Sequence, residues 1–246
     1  MTGRIRFALL STADFEEETF AAQIIGHLLS LPEFLRPKIF DAYEPLKRNV
    51  DSLDEIVGVL VNEGVERTGP RSGGVLLDLN GNIGYQIHWR KTERPGFSLV
   101  GGSLTFDAIG RDESKLNLWI DNVRSLVEIV GPAYGEVRSV STTGTNHPFS
   151  LQVRLPDVPP VSIYGKEYID FFGRHQIESA PFLETAKVGE CYWLVAHRTV
   201  LEEVPSAKRS AIRSHLGADA FMADGRSKYK DGRAPTFDLS NSLCAD

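Results

Sequence analysis

The chain is poor in the residues and spacings that carry chemistry. Of its 246 residues only two are cysteine, Cys191 and Cys244, and no Cys-x-x-Cys pair occurs. That excludes a disulfide framework and points to a reducing, cytoplasmic setting. Six histidines are present, His27, His88, His147, His175, His197 and His215. None falls in a His-Glu-x-x-His or His-x-His spacing, so no metal is expected. There is no Gly-x-Ser-x-Gly elbow. Residues 68–74 are rich in Gly, Pro and Arg but lack the Lys-Ser/Thr and the strand-loop-helix context of a phosphate loop. The glycines of LNGNIG and LVGGS lie in hairpins rather than at helix starts. No run approaches the roughly 18 apolar residues of a membrane span. The opening MTGRIRFALLSTADFEEE has too short an apolar run for a signal peptide and turns acidic at once. No basic groove with interleaved aromatics appears, so nucleic acid is not an expected direct partner. No cofactor and no catalytic residue set follow from these patterns.

What is present is ordinary globular sequence with a modest negative balance. Hydrophobic residues make up 41%, and 33 acidic against 27 basic residues leave a net charge of −6. A basic partner suits that balance. Residues 4–10 read as a first strand, and Phe20, Ile24, Ile25, Leu28 and Leu29 as a helical stripe within about 15–31. Asp14, Glu16, Glu17 and Glu18 sit at that helix's start. They favour its dipole, or they form an acidic patch for a basic partner, with Asp41 and Glu44 as further candidates. A second helix is expected near 52–63, opened by the capping box of Ser52 and Glu55. Strands at 75–79, 83–90 and 97–106 form an antiparallel meander through Asn80-Gly81, with Gly101-Gly102 read as a bulge or bend. His88 and Arg90 share that meander's polar face. A long helix follows at 113–130, then strands at 136–142 and 151–155.

The expected fold class is α+β, a mostly antiparallel sheet flanked by helices. The proline-rich link PDVPP either divides two subdomains or only turns the chain. This gives a 1–155 region with the meander, a 156–222 region, and a polar, loosely ordered tail at 223–246. Residues 206–233 carry seven Lys or Arg against three Asp. Cys191 reads either as a buried small hydrophobe or as a nucleophile with His197 or His175 as base.

The densest aromatic stretch is YGKEYIDFFGRHQIESAP, from Tyr164 to Pro181. Tyr164, Tyr168, Phe171, Phe172 and His175 fall at i, i+4, i+7, i+8 and i+11, one face of a helix near 165–173, and that face is expected to be core. After it come an Ala-Pro, a strand with Tyr192-Trp193-Leu194, and the ending HLGADAFM. This order, over 161–222, resembles the immunity proteins of bacterial polymorphic toxin systems, specifically immunity protein family 52. The resemblance implies a cytoplasmic antitoxin that binds a cognate effector domain, often a basic nuclease toxin delivered by a type VI secretion system. It carries over no catalytic residue. Tyr164, Tyr168, Phe171, Phe172, His175 and Trp193 enter as packing motif. The alternatives from residues alone are a small-molecule enzyme with an unrecognised α+β site and an adaptor of a secretion machine.

Overall fold

The computed structural model describes residues 3–62, 71–91, 96–110, 112–141, 155, 157–221 and 234–242. Its elements run β1 (Gly3–Ser11), α1 (Glu18–Ser30), β2 (Ile39–Asp41), β3 (Arg48–Asn49), α2 (Leu53–Asn62), β4 (Arg71–Leu79), β5 (Ile83–Lys91), β6 (Ser98–Thr105), α3 (Phe106–Ile109), α4 (Glu113–Val130), β7 (Tyr134–Ser141), β8 (Val161–Tyr164), α5 (Lys166–Phe172), α6 (Arg174–Glu178), β9 (Glu184–Val188), β10 (Cys191–Val195) and α7 (Ser206–Leu216). The ten strands make one sheet in the order β3-β2-β4-β5-β6-β1-β7-β8-β10-β9. Every neighbouring pair in it is antiparallel. The class is α+β.

The meander forms as its turns dictate. Asn80 and Gly81 both adopt positive φ, 59° and 76°. They lie in the three-residue connection between Leu79 and Ile83, which are paired in register, and asparagine and glycine are the residues that take left-handed backbone most readily. Gly101-Gly102, however, makes no bulge: the β1–β6 register runs unbroken from Arg4↔Thr105 to Ser11↔Ser98. The glycine at 102 answers a packing need instead. A Cβ there would lie 2.4 Å from the Phe7 ring and 3.0 Å from Trp119.

One face of the sheet is covered by α1, α2 and α4. Their stripes, Ile24, Ile25 and Leu28, then Ile56, Val59 and Leu60, then Trp119, Val123 and Val127, are buried against Ile5, Phe7, Leu9, Val75, Ile87 and Val100. Phe7 meets Trp119 at 5.4 Å between ring centroids. A second cluster lies on the other face, at the β7–β8–β10 end, where α5, α6 and α7 contribute Tyr168, Ile177, Ile212 and Leu216 against Tyr134, Tyr164, Tyr192 and Leu194. The sheet passes without interruption across position 155 through the β7–β8 pairing. The proline-rich link lies inside this arrangement: the backbone N–H of Ala196 donates to Pro160 O at 2.8 Å.

The aromatic stretch folds differently from a single stripe. Tyr164 ends β8, and only residues 166–172 continue as helix. Gly165 permits the junction, since a Cβ would stand 2.1 Å from the Pro132 carbonyl oxygen. Gly173 then breaks the helix with φ 86°, a conformation other residues rarely take. α6 restarts in a new phase. His175, placed in the core by the spacing, is therefore exposed, and Phe171 and Phe172 are half-buried. Tyr164 and Tyr168 are buried, as is Trp193 on β10.

Part of the C-terminal stretch packs as well. Phe237 sets its ring edge-on to Phe97 at 4.9 Å and near Tyr168 at 5.9 Å. Gly96 N–H donates to Ser242 Oγ at 3.0 Å. A polar composition thus conceals two apolar anchors, Phe237 and Leu239, that tie 234–242 down. Residues 222–233 and 243–246 lie outside the described residues, as do most of 151–155.

Candidate functional site

Helical cover on the second face stops at β7. Beyond it, among the described residues, no α-helix lies on this face over β1, β6, β5 and β4; the 234–242 segment reaches its end, where Phe237 meets Phe97 and the 3₁₀ turn Ser240–Ser242 lies by β5. Strand alternation decides what is shown there. In β1, Ile5, Phe7 and Leu9 point into the core, so Arg4, Arg6, Ala8 and Leu10 point the other way. The register places Arg6 beside Arg138 of β7 on one side and Ser103 of β6 on the other. Ser103 faces Gly84 of β5, and Gly84 faces Asp78 of β4. One row along, Glu136, Ala8, Gly101, Gln86 and Leu76 follow one another across the same five strands. Small residues, Ala8, Gly101, Ser103 and Gly84, form the middle. The result is a groove of about 580 Å³, lined by Arg4 and Arg6 of β1, Glu136 and Arg138 of β7, Asp78 of β4, and Glu44 and Leu46 from the β2–β3 connection.

Several of these groups are held in place. Arg4 donates from Nη1 to Ser103 Oγ and from Nη2 to Gly81 O, both at 3.0 Å. Asp78 accepts the Gly81 N–H at 2.6 Å. Glu136, only 5% exposed, pairs with Arg138 Nε at 3.0 Å and accepts the Tyr134 hydroxyl at 3.2 Å. Burial raises its carboxyl above the ordinary value; Arg138 and Tyr134 oppose that shift. Glu136 and Arg138 also line a smaller cavity of about 100 Å³. There Asp157 holds Arg209 at 3.3 Å.

The acidic residues singled out from sequence do not form one patch. Asp14 and Glu16 precede α1 and turn back to the sheet, where Lys91 Nζ reaches them at 2.8 and 2.6 Å. Glu16 also pairs with Arg71. Glu17 and Glu18, at the helix start, are exposed. Asp41 lies near Arg48, at 3.9 Å, and caps the Ala42 N–H. Glu44 stands exposed beside Tyr43, which is 66% exposed, at the rim of the groove. Of the six, only Glu44 reaches the groove.

The suggested nucleophile is poorly placed for that work. Burial, aided by Glu167 and Glu190, pushes the Cys191 thiol up to about 12. Its Sγ contacts Pro132 O at 3.6 Å. Neither cavity is lined by Cys191, His175 or His197. Sequence reasoning missed the groove's arginine wall. Its signal was there in the alternations Arg4-Ile5-Arg6-Phe7 and Glu136-Val137-Arg138, which put charge opposite core.

No protein-family model matches this chain, and no curated protein matches it in sequence. Among solved structures, the Pseudomonas aeruginosa T6SS protein PA0821 shares the fold, with TM-score 0.58 and 14% identity over 87% of this chain and 75% of that one. A chain from the crystal structure of the toxic C-terminal tip of CdiA from Pseudomonas aeruginosa, in complex with immune protein, gives TM-score 0.32 and 13% identity over 56% of this chain and 86% of that one. A likeness of the second kind carries no argument. The first establishes a common fold. The resemblance to immunity protein family 52 rests on the residues quoted for it.

Proposed function

We propose that this chain is an immunity protein, binding and neutralising a cognate toxin effector in the cytoplasm of the cell that makes it. The observation that carries the reading is the uncovered sheet face. It holds a groove that mixes arginine with aliphatic side chains, and the exposed Tyr43 adjoins Glu44 of its lining in the chain. Arginine and tyrosine are the residues most enriched where proteins bind one another tightly. The fold shared with a T6SS protein supports the reading, as does the family-like order of motifs over 161–222. The finer form of the proposal is a basic nuclease domain delivered by a type VI system. Its support is the net charge of −6 and the exposed Glu17, Glu18 and Glu44, which would speed association with a cationic partner.

The buried thiol of Cys191 and the exposed His175 do not support a Cys191–His175 nucleophile, and this proposal assigns the chain no turnover of its own. The test is co-expression with the product of the adjacent open reading frame. That product should arrest growth alone, be tolerated beside this chain, and co-purify with it at one-to-one stoichiometry. A harmless neighbour, or a toxic one that this chain neither binds nor silences, removes the proposal.

A further inference from the structure

Among the described residues, β9 closes one end of the sheet and β3, only two residues long, the other. We propose that the outer edge of β9 pairs with β9 of a second copy of the chain. The two strands run antiparallel about a two-fold axis at Ala186, so that one sheet passes through a symmetric dimer. The inference stands apart from the toxin-binding reading and uses no property of the open groove.

The register decides which backbone groups face outward. In an antiparallel ladder, alternate residues turn their N–H and C=O to opposite neighbours. Ala196 N–H donates to Pro160 O on the β8 side at 2.8 Å, in continuation of the β8–β10 register. Val195 O accepts the Leu183 N–H on the β9 side at 2.7 Å. Cys191, Trp193 and Val195 therefore turn to β9, where they oppose Val188, Ala186 and Glu184. Thr185 and Lys187 are left with N–H and C=O directed away from the sheet. Groups of that kind are a template for another strand. Proline and free charge guard many natural edges. β9 has no proline, and both of its charges are drawn inward. Glu184 pairs with Arg124 of α4 at 3.0 Å, and the Lys187 ammonium lies over the Tyr192 ring of β10 at 5.9 Å.

The residues of the strand then select the occupant. ETAKV pairs with itself in one favourable register. Thr185 faces Lys187 of the copy, Lys187 faces Thr185, and Ala186 meets Ala186 at the axis. Both outward residues exchange an N–H and a C=O bond with their opposites. The smallest side chain of the strand stands where a residue must meet itself. A shift of two residues one way sets Lys187 directly against Lys187, like charges opposed. A shift the other way sets Lys187 against Leu183, whose N–H already belongs to Val195. A strand that complements itself makes the isologous contact of a two-fold dimer.

The experiment follows the whole chain alone by sedimentation and amide exchange over a concentration series. The mass should rise with concentration from 27.3 kDa toward twice that value. The Thr185 and Lys187 amides should exchange at least about 10-fold more slowly in the concentrated sample than in the dilute one. Thr185→Pro removes one outward donor at a position where an edge strand accepts proline. It should melt like the parent and keep the mass of one chain throughout. If Thr185→Pro does not fold, amide exchange in the parent decides alone. A parent that stays monomeric up to about 1 mM overturns the proposal. So does a dimer in which Thr185 and Lys187 are not slowed. Slowing of those two amides only when the toxin-domain product of the adjacent reading frame is added gives the edge to a strand of that partner, and overturns it as well.

Discussion

β1 and β8 lie two places apart in one sheet, yet their sequences obey different rules. β1 alternates, with buried Ile5, Phe7 and Leu9 set between Arg4, Arg6 and Ala8. β8 is buried at all four of its positions, and β10 at four of five. The difference is cover. Among the described residues, helices close only one face of β1, whereas β8 and β10 are packed on both. A strand buried on both faces is mostly apolar, Ser162 being the one small polar residue of β8, and a strand with one open face can spend alternate positions on something else. The consequence bears on function. The chain's most conspicuous motifs, the aromatic stretch and Tyr-Trp of β10, belong to the doubly covered end and describe packing. The face without helical cover, among the described residues, belongs to the inconspicuous end.

The largest expected effect tests that division directly. Trp193 is 1% exposed, with the Arg124 guanidinium 5.0 Å over its ring. Trp193→Ala should cost about 3–5 kcal/mol in denaturant unfolding. Phe172, half-buried, touches the rings of Tyr164, Tyr168 and Phe171 at 5.6, 5.9 and 4.9 Å. Phe172→Ala should cost less, about 2–3 kcal/mol, since part of the ring already meets water. Folded fractions of both variants should bind the partner as the parent does. Equal costs would mean that the aromatic stripe is core throughout, against the exposure seen here.

Much of this architecture was legible beforehand because it rests on short-range signals. Asn80-Gly81 fixed the hairpin and the 3.6-residue stripes located α1, α2 and α4 to within a few residues. What escaped depended on contacts distant in sequence. Gly173 could be read as a helix end, but not as the start of a new phase that turns His175 outward. Gly102 looked like a bend because its reason, the Phe7 ring and Trp119, comes from other elements. The acidic cluster at the start of α1 looked free because Lys91, which engages Asp14 and Glu16, lies some 75 positions on. The groove was legible in principle from the alternation in β1 and β7. Which strands would be left uncovered was not, since that follows from the path of α5 to α7.

A smaller effect should separate the two ends by pH. Glu136 sits where the double cover gives way to the open groove, and its carboxyl is raised above an ordinary value of 4.5, chiefly by burial. The folded chain therefore favours the protonated acid more than the unfolded chain does. Stability from this group is fully present below the unfolded value and falls as pH rises through the folded one. Glu136→Gln keeps the shape and removes the titration. Relative to the parent, the variant should gain stability as pH rises from about 4 toward 7, flattening that limb of the profile. A constant difference across that range would mean that the pair with Arg138 offsets burial in full.

The smallest effect gives the sharpest contrast, because it uses one added methyl on adjacent strands. Gly102 and Gly84 lie in neighbouring register rows, Tyr85↔Gly102 and Gly84↔Ser103, but on opposite faces of the sheet. At Gly102 the new Cβ would meet Phe7 at 2.4 Å and Trp119 at 3.0 Å, two rings already fixed by the core. Gly102→Ala should cost about 1–3 kcal/mol, as overpacking does. At Gly84 the nearest atoms are Leu77 O at 3.8 Å and Ser103 Oγ at 3.9 Å. Nothing need move there, and the unfolded chain loses freedom, so Gly84→Ala should be neutral or stabilise by up to about 1 kcal/mol. Thermal melts of the two variants, run side by side, should therefore shift in opposite directions or, at least, differ by the cost at Gly102. If Gly84→Ala is as damaging as Gly102→Ala, the face it points into is occupied by something else in the chain, and the groove is not free to receive a partner.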